Sequence, residues 1–440
     1  PPPTEPPPPP NNTLIASSAA SDVYKRQDES SSYKVSVMRF DGTEWKYVNE
    51  AGITPSMAFF TSFTIDSGNH LYLAYTDEAN EHIASAMRFD LPAPAEGVWQ
   101  QVGEAGFTPD SIYAPSLALD SSGTPYVAYM DAVNWSANVM KFDGAEWQQV
   151  GEADFSPDAA WEPILALDSS GTPYIAYSDS ANGDRISVMR FDGMAWHHVG
   201  MPGFSADSAW WPSLVFDSGN TPYVAYVDTA NGNRISVMRF DGMSWVQVGA
   251  AGLTPSFADF PSLAFDSNGT PYVAYMDAAN SDRASVMKFD GIDWIQVGMP
   301  GFTADTAFET NLAIDSSDTP YVAYMDNMGS GIGVMRFDGF NWGQVGTSGF
   351  PVNAEFPTLA IDGADKVYLA YTDASESYKA SVLRFDGTEW VQVGSAGFTP
   401  DAALEPSLAF DRTGTPHVAY RDDANMGKAS VMKFGPSGSK

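Results

Sequence analysis

The chain has 440 residues, of which 22 are Lys or Arg and 55 are Asp or Glu, so its formal net charge at pH 7 is −33. This charge repels phosphate and anionic membranes, which excludes ordinary nucleic-acid binding and favours neutral, cationic or metal-bridged partners. Because 44% of the residues are hydrophobic and none is Cys, the chain must fold by packing alone, and no apolar run is long enough to span a membrane.

The first 27 residues are predicted to lie outside the fold. Residues 1–10 read PPPTEPPPPP, which is typical of an extended polyproline II spacer, and residues 11–21 continue it as a flexible polar linker. Residues 22–27 (DVYKRQ) look like a translated sequencing adapter, and the repeats begin at the next residue. We therefore assign residues 1–27 to a linker, residues 28–434 to the repeat domain and residues 435–440 to a flexible tail.

A unit of about 49 residues repeats along the chain and carries the pattern SVMRFDG, first seen at residues 36–42. One unit is clear from Pro212 to Gly249, and it predicts strand A at residues 213–216, B at 223–227, C at 235–240 and D at 245–248. The Asp-Gly pair between C and D is a strong hairpin signal. Such a period without helical periodicity is typical of a β-propeller with one four-stranded antiparallel blade per unit.

Counting the strands sets the predicted number of blades. Eight copies of A, B and D and nine copies of C predict an all-β, eight-bladed β-propeller, closed by a composite blade from both chain ends. In that blade, A and B come from residues 406–421 and D from residues 45–48, while C is either residues 36–40 or residues 430–434. Closure of this kind removes unpaired sheet edges.

Three Asp residues, one Trp and one basic residue recur in each unit. The Asp residues follow strands A, B and C, as Asp217, Asp228 and Asp241 do in one unit, and we expect them to accept hydrogen bonds in their own turns. The Trp that begins strand D, such as Trp245, is predicted to pack between blades. The basic residue of strand C, such as Arg239, is predicted to form ion pairs between blades, with a ring of cations presented to ligand as the alternative.

The connections from D to A and from B to C share one face of the predicted ring and vary between units. Aromatic residues and carboxylates stand there just before strand A, the combination that carbohydrate sites use, although one aromatic per loop could simply pack over its blade. We centre a candidate site on Trp161 with Glu162 and Trp210 with Trp211, which should be neighbours across one blade junction, with Tyr113 and Trp135 flanking them. Two consecutive Trp side chains can hardly both point inward. The predicted binding residues are Tyr113, Trp135, Trp161, Glu162, Trp210, Trp211, Phe260, Phe308 and Glu309.

The B-to-C loops carry oxygen ligands at short spacing. Asp179, Asn182 and Asp184 are candidate Ca²⁺ ligands, although hydrogen-bonded turns explain the same residues. No other cofactor is predicted.

The patterns S-V-M-[RK]-F-D-G-x-x-W-x-x-V-G and [SL]-A-[FL]-D-S-x-G-T-P-Y-[VI]-A-Y-x-D resemble repeats of secreted bacterial β-propeller proteins. They look related to the kelch-like and fucose-lectin-like propeller groups, and the resemblance covers residues 28–434. It implies the fold and an extracellular or cell-surface location, but no catalytic residues. The paired Gly-Gly of kelch repeats is absent, and Asp241 precedes Trp245 by four residues rather than by the five of a sialidase Asp-box.

The function expected from these features is binding without catalysis by a monomeric extracellular or cell-surface module. The expected partner is a carbohydrate, with another surface polymer or a protein as alternatives. The units are so alike that none carries an evident catalytic cluster. The first alternative is a glycoside hydrolase or lyase at the channel mouth, with carboxylates such as Glu162 and Glu309 as acid and base. The second is a structural or assembly propeller without a small ligand.

Overall fold

The computed structural model describes residues 97–326, 331–346 and 354–436, together with six strands between residues 23 and 90. The chain divides into two compact units, Pro1–Glu96 and Gly97–Lys440. No α-helix occurs among the described residues, and none of their short helical turns is long or apolar enough to cross a membrane. The predicted linker residues 1–22 and the tail residues 437–440 lie outside the described residues.

The first unit contains two antiparallel sheets of three strands each. The strands of one sheet are β1 (Val23–Asp28), β2 (Lys34–Phe40) and β3 (Trp45–Tyr47). Those of the other are β4 (Ala58–Ile65), β5 (His70–Asp77) and β6 (Ile83–Asp90). Strand β1 includes most of the segment that resembles an adapter, and it pairs with β2, with Val23 opposite Arg39.

The second unit is a propeller of seven four-stranded antiparallel blades within residues 97–436. Blade 1 contains β8 (Ile112–Leu119), β9 (Pro125–Asp131), β10 (Ala137–Phe142) and β11 (Trp147–Gln149). Blade 2 contains β12 (Ala160–Leu167), β13 (Pro173–Asp179), β14 (Arg185–Phe191) and β15 (Trp196–His198). Blade 3 contains β16 (Ala209–Phe216), β17 (Pro222–Asp228), β18 (Arg234–Phe240) and β19 (Trp245–Gln247). Blade 4 contains β20 (Ala258–Phe265), β21 (Pro271–Asp277), β22 (Arg283–Phe289) and β23 (Trp294–Gln296). Blade 5 contains β24 (Ala307–Ile314), β25 (Pro320–Asp326), β26 (Gly331–Phe337) and β27 (Trp342–Gln344). Blade 6 contains β28 (Ala354–Ile361), β29 (Val367–Asp373), β30 (Lys379–Phe385) and β31 (Trp390–Gln392). Blade 7 contains β32 (Ala403–Phe410), β33 (Pro416–Asp422), β34 (Lys428–Pro436) and β7 (Gly97–Gln101). Single 3₁₀ turns occupy Ser180–Asn182, Thr229–Asn231, Ala278–Asn280, Ala374–Glu376 and Asp423–Asn425.

The predicted count of eight blades is wrong. The last strand C, β34, pairs with β7, so that Phe434 lies opposite Trp99. The closing strand D is therefore Gly97–Gln101 rather than residues 45–48, and residues 430–434 supply strand C of that blade. Strand β7 follows β4, β5 and β6 in the chain as the D strand of their unit, so its use in closure leaves seven complete blades. The D strands share one sequence signature, and their spacing alone could not identify the one that pairs with β34.

The A strands line the central channel. Strand A of each blade contacts strand A of the next, from β8 around to β32 and back to β8. Side chains on this inner wall also bond to the neighbouring backbone. Ser213 Oγ accepts from the Leu263 N–H at 3.0 Å, and Ser407 Oγ accepts from the Leu117 N–H at 2.9 Å across the closing junction. These bonds fix the inner strands, and hence the channel mouth, relative to one another.

The Trp at the start of each strand D packs between blades, as predicted. Trp245 Nε1 donates to the Val199 carbonyl at 2.7 Å, and its ring stacks on Phe204 with the centroids 4.2 Å apart. The same Trp-to-Val bond occurs at all seven junctions, including Trp99 to Val393 where the ring closes. The repeated Trp is therefore part of the core.

The repeated Asp residues stabilise turns and strand ends, also as predicted. Asp241 Oδ1 accepts from the backbone N–H groups of Met243 and Ser244 in its hairpin. Asp228 Oδ2 accepts from Asn231 and Ser236 at the end of strand B. Much of the negative charge therefore serves the architecture.

The predicted ion pairs between blades are not found among the described residues. Lys288 instead lies 5.7 Å from the ring centroid of Tyr272, and Arg336 lies 5.9 Å from that of Tyr321. The C strands end at the face that carries the A-to-B and C-to-D turns, and Arg190 is exposed there. Arg239 and Arg336 are exposed there as well, and the strand-B residue opposite such a cation is an aromatic one, as Tyr223 is opposite Arg239.

Candidate active site

A bulge interrupts every inner strand of the ring near the channel mouth. In β16 the pairing with β17 shifts between Trp210 and Ser213, and Trp211 has a φ of 54°. The equivalent residue has a φ between 49° and 54° in all seven blades. This left-handed conformation costs a non-glycine residue on the order of 1 kcal/mol or more, which makes these positions candidates for function. None of them is Gly: they are Ala114, Glu162, Trp211, Phe260, Glu309, Phe356 and Glu405.

Three of the bulge residues are glutamates, and each of their carboxylates accepts a hydrogen bond from the next bulge. The three pairs are Glu162 with the Trp211 N–H (2.7 Å), Glu405 with the Ala114 N–H (2.6 Å) and Glu309 with the Phe356 N–H. The bulge turns a backbone N–H toward the neighbouring blade, and the glutamate of that blade binds it. Each carboxyl group is thereby held in a fixed position at the mouth.

Burial raises the pKa of two of these carboxyls to about 7. For Glu162, loss of hydration is the main cause, and the charge of Asp259 adds to it. For Glu309, burial is again the main cause, and repulsion from Glu405 and Glu355 raises the pKa further. Both side chains therefore hold a proton for much of the time near neutral pH, as a general acid must.

Glu405 has a different environment. Its pKa is also raised, mainly by burial, although the Ala114 N–H and the positive charge of Arg421 act in the opposite direction. The Arg421 guanidinium lies 5.1 Å from the ring centroid of Tyr113. Glu309 and Glu405 thus form an interacting pair of carboxyls in unlike surroundings, the pattern that separates an acid from a base in glycosidases.

Three aromatic residues of blades 1 and 2 form the first aromatic group of the mouth. Tyr113 stacks on Trp135 with the ring centroids 5.7 Å apart and the planes 4° from parallel, and Trp135 lies 5.3 Å from Trp161. Trp135 is 38% exposed, while Trp161 Nε1 donates to Ser180 Oγ at 3.0 Å. Accessible flat rings of this kind suit the apolar face of a sugar.

The second aromatic group belongs to blades 3 to 5. The Trp211 and Phe260 ring centroids are 4.9 Å apart, and Phe308 packs edge-on to Phe260 at 6.3 Å. Trp211 is 40% exposed. Glu162 lies between the two groups, because it follows Trp161 in the chain and accepts its hydrogen bond from Trp211.

Trp210 differs from the other predicted binding residues because its side chain packs against the core. It contacts the hydrophobic cluster between blades 3 and 4, which contains Val227 and Val273. One Trp of the pair therefore points inward and the other outward. The aromatic residues and Glu162 are brought together as described above, and Glu309 follows Phe308 at the next bulge.

Four charged residues of the mouth were not predicted, namely Asp259, Glu355, Glu405 and Arg421. The first three belong to the residue pairs that precede strand A, but nothing in the sequence distinguishes a buried carboxyl from an exposed one there. Arg421 carried a clearer signal, since the aligned position at the end of strand B is uncharged in the other six blades.

The predicted calcium ligands bond to donors of the protein. Asp179 Oδ2 accepts from Asn182 Nδ2 at 2.8 Å and from Ser187 Oγ, and Asp184 Oδ1 accepts from Ser180 Oγ at 2.6 Å. In the part of the chain that the structure describes, no group of three or more His, Asp or Glu side chains could hold a metal ion. Calcium binding in this loop stays an untested prediction.

Solved structures with a similar fold include enzymes that act on carbohydrates. An ulvan lyase, a polysaccharide lyase solved with a GlcA(1-4)Rha3S unit bound, has a TM-score of 0.52 at 12% identity over 76% of this chain and 95% of its own. An α-L-arabinanase from Penicillium chrysogenum has a TM-score of 0.43 at 12% identity over 78% and 99% of the two chains. An α-L-arabinofuranosidase from Fusarium graminearum has a TM-score of 0.43 at 12% identity over 77% and 97%. No protein-family model matches the chain, and no curated protein is significantly similar to it. At such identities the likeness shows the fold alone.

The expectation of a non-catalytic binding module is wrong, because the comparison favours its catalytic alternative. The ulvan lyase that shares this fold is a catalyst, so a propeller of this kind does not imply binding alone. The expectation rested on the likeness of the repeats, which showed no catalytic cluster. Carboxyl groups of separate blades, such as Glu309 and Glu405, come close enough to interact only when the ring closes.

Proposed function

We propose that this protein is a glycan-cleaving enzyme, a glycoside hydrolase with its site at the channel mouth. One observation carries the proposal: Glu309 and Glu405 interact, the pKa of Glu309 is raised to about 7, and Arg421 favours the charged form of Glu405. Glycosidic bonds are hydrolysed by such a pair of carboxyls, one protonated and one ionised.

Glu309 is the general acid in this proposal. Its proton passes to the glycosidic oxygen of the leaving sugar as the bond breaks. Glu405 is the general base or the nucleophile; burial raises its pKa, and the Ala114 N–H and the Arg421 charge oppose that rise by favouring the carboxylate. Glu162, which the sequence paired with Glu309, also has a pKa of about 7. Two protonated carboxyls make a poor acid and base pair, so the base role moves to Glu405.

The two aromatic groups bind the glycan on either side of Glu162, whose carboxyl accepts or donates a hydrogen bond to a sugar hydroxyl. A neutral glycan suits this surface. The mouth carries five carboxyl groups and the cation Arg421, so its negative charge would repel a polyanionic chain. These five are Glu162, Asp259, Glu309, Glu355 and Glu405.

A polysaccharide lyase is the second candidate, favoured by the fold that the chain shares with the ulvan lyase at a TM-score of 0.52. Elimination from a uronate needs a base and positive groups that stabilise the charge developing at the substrate carboxylate. At this mouth Arg421 already interacts with Glu405. The charge balance therefore favours hydrolysis of a neutral chain.

We also propose an extracellular or cell-surface location, a monomeric state and kinship with the kelch-like and fucose-lectin-like propeller groups. These proposals rest on the sequence resemblance. Size-exclusion chromatography with light scattering tests the monomer, and a stable dimer would contradict it.

A panel of polysaccharides tests the function and separates the two candidates. Hydrolysis of a neutral polysaccharide releases reducing ends, whereas a lyase acting on a uronate-containing polysaccharide also produces an unsaturated sugar that absorbs ultraviolet light. We expect reducing ends without unsaturation, and we expect Glu309→Gln and Glu405→Gln each to lower the rate by about 10²–10⁴-fold. Glu389→Gln, in an exposed hairpin of the other face, is the matched control. Unsaturated product, or full activity in Glu309→Gln, would contradict the proposal.

A further inference from the structure

A separate cavity lies on the opposite face of the ring, at the junction of blades 2 and 3. It has a volume of about 790 Å³, and its lining includes Arg190, Arg239 and residues 220–222 and 240–242. Both arginines are exposed at the ends of their C strands. The other lining segments are an A-to-B turn and a C-to-D hairpin, so the cavity is remote from the channel mouth. No part of the proposed active site includes it.

The lining of this cavity is cationic although the chain is strongly acidic. Its charged side chains are Arg190, Arg239 and Asp241, which leave a net charge of +1 when His198 is neutral. The Asp241 carboxylate is already bonded to backbone N–H groups of its own hairpin. The Asp241 carboxylate also interacts with Arg239, so the two guanidinium groups leave one excess positive charge for a ligand.

Two ring side chains complete the lining. Tyr174 is buried to 9% exposure and lies at the start of strand B of blade 2. His198 occupies the place of Gln247 in the next blade, and its Nδ1 atom is buried without a hydrogen-bond partner in the protein. An aromatic ring beside two guanidinium groups suits a sugar that carries an anionic group.

The equivalent cavity between blades 4 and 5 is smaller and electrically neutral. Its volume is about 270 Å³, and its charged lining residues are Lys288, Arg336, Asp318 and Asp338. Asp318 aligns with Asn220, so the additional carboxylate arises from one substitution within the repeat. The two junctions therefore form a natural pair that differs in size and in net charge.

Asn220 and Asp318 have the same local structure. Their φ angles are 63° and 62°, and each Oδ1 accepts from the backbone N–H of a serine in the preceding blade. The second polar atom of each side chain differs in its role. Asp318 Oδ2 accepts a hydrogen bond from Ser267 Oγ at 2.9 Å, whereas Asn220 Nδ2 donates one to Ser169 Oγ at 2.6 Å. Rotation of one serine hydroxyl would accommodate Asp at position 220, which makes the substitution a change of charge without a change of fold.

We propose that the cavity between blades 2 and 3 binds a sugar unit that bears a carboxylate or a sulfate. Arg190 and Arg239 hold the anionic group, because planar guanidinium groups bind oxyanions through paired hydrogen bonds. Tyr174 contacts the sugar ring, and a volume of about 790 Å³ lies within the range of small-molecule sites. Repulsion from the rest of the protein is screened beyond about 8 Å at physiological salt, so local charges decide the binding. The proposal does not depend on catalysis at the other face.

Calorimetric titration of the full chain at physiological salt tests this site. The probes are an oligogalacturonate, a sulfated galacto-oligosaccharide and a neutral galacto-oligosaccharide of equal length. We expect an anionic probe to bind in a way that depends on Arg190 and Arg239, and the anionic probe that binds identifies the carboxylate or the sulfate as the ligand group. Any binding of the neutral probe belongs to the channel mouth and should not depend on these arginines. Arg190→Gln and Arg239→Gln should each weaken binding by about tenfold or more, while the control Arg336→Gln should not.

Asn220→Asp is the sharper variant, because it gives the larger cavity the additional carboxylate of the smaller one. We expect it to weaken binding about tenfold or more without changing the melting temperature. Glu309→Gln should bind the probe as the wild type does, so this test stands apart from the test of catalysis. Absence of anionic binding, unchanged anionic binding in Asn220→Asp or equal loss in Arg336→Gln would each overturn the proposal.

Discussion

The buried carboxyl of Glu309 should make the stability of the ring depend on pH. Its pKa is about 7 in the folded protein against 4.5 for an unperturbed side chain. Between these values the folded state binds more protons than the unfolded state, so the free energy of unfolding falls as the pH rises through this window. At about 1.36 kcal/mol per pKa unit, the loss above pH 7 amounts to about 3 kcal/mol. Glu309→Gln removes the titrating group and should remove this loss.

The assay is urea denaturation of wild type and Glu309→Gln near pH 5 and near pH 8. The variant should gain up to about 3 kcal/mol relative to wild type between the two pH values. His198 and His417, whose pKa values are lowered by burial, titrate alike in both proteins and cancel in the difference. Glu389→Gln in an exposed hairpin should show no such gain. A wild-type to Glu309→Gln difference that is equal at both pH values would refute the raised pKa and the acid role built on it.

Three further predictions concern the aromatic residues and the closure of the ring. Trp211→Ala should weaken binding of the cleaved glycan by about 1–3 kcal/mol in a titration, with little loss of stability because the Trp211 side chain is 40% exposed. Trp210→Ala should instead lower the free energy of unfolding by about 3 kcal/mol or more, because the Trp210 side chain packs against the core. Trp245→Phe should cost about 1–3 kcal/mol in urea denaturation, because a buried carbonyl loses its donor, and an unchanged midpoint would contradict the role of this bond. Deleting residues 1–96 should leave the calorimetric melting temperature of the ring unchanged, whereas deleting residues 1–101 should lower it by removing β7; equal effects would contradict closure through β7.

The strands of each blade could be predicted closely from the sequence. In the unit from Pro212 to Gly249, strands B, C and D were predicted within one residue of the observed bounds, since the alternation and the Asp-Gly hairpin specify them. Strand A begins at Ala209, four residues before the predicted start at 213. The extra residues contain the bulge, where side chains vary from blade to blade. A strained position occupied by Glu or Trp gives no strand signal in a single sequence.

The candidate site was only partly predictable for a related reason. Aromatic residues such as Trp135 and Trp211 could be recognised because their type is unusual for exposed loops. The acid and base could not, because the pKa of Glu309 depends on burial and on repulsion from Glu405 and Glu355 after the ring has closed. The predicted number of blades was wrong for the same reason, since it depends on how the ring closes. Closure is a choice among similar D strands, and the contacts that decide it are far apart in the chain.

The central claim is that Glu309 donates a proton to the departing sugar, and the choice of leaving group tests it most directly. The measurement compares kcat/KM of wild type and Glu309→Gln on a natural glycan and on the dinitrophenyl glycoside of the same sugar. Dinitrophenolate leaves without being protonated, so the account predicts a loss of about 10²–10⁴-fold on the glycan and little loss on the dinitrophenyl glycoside. An equal loss on both substrates, or no loss on the glycan, would contradict it.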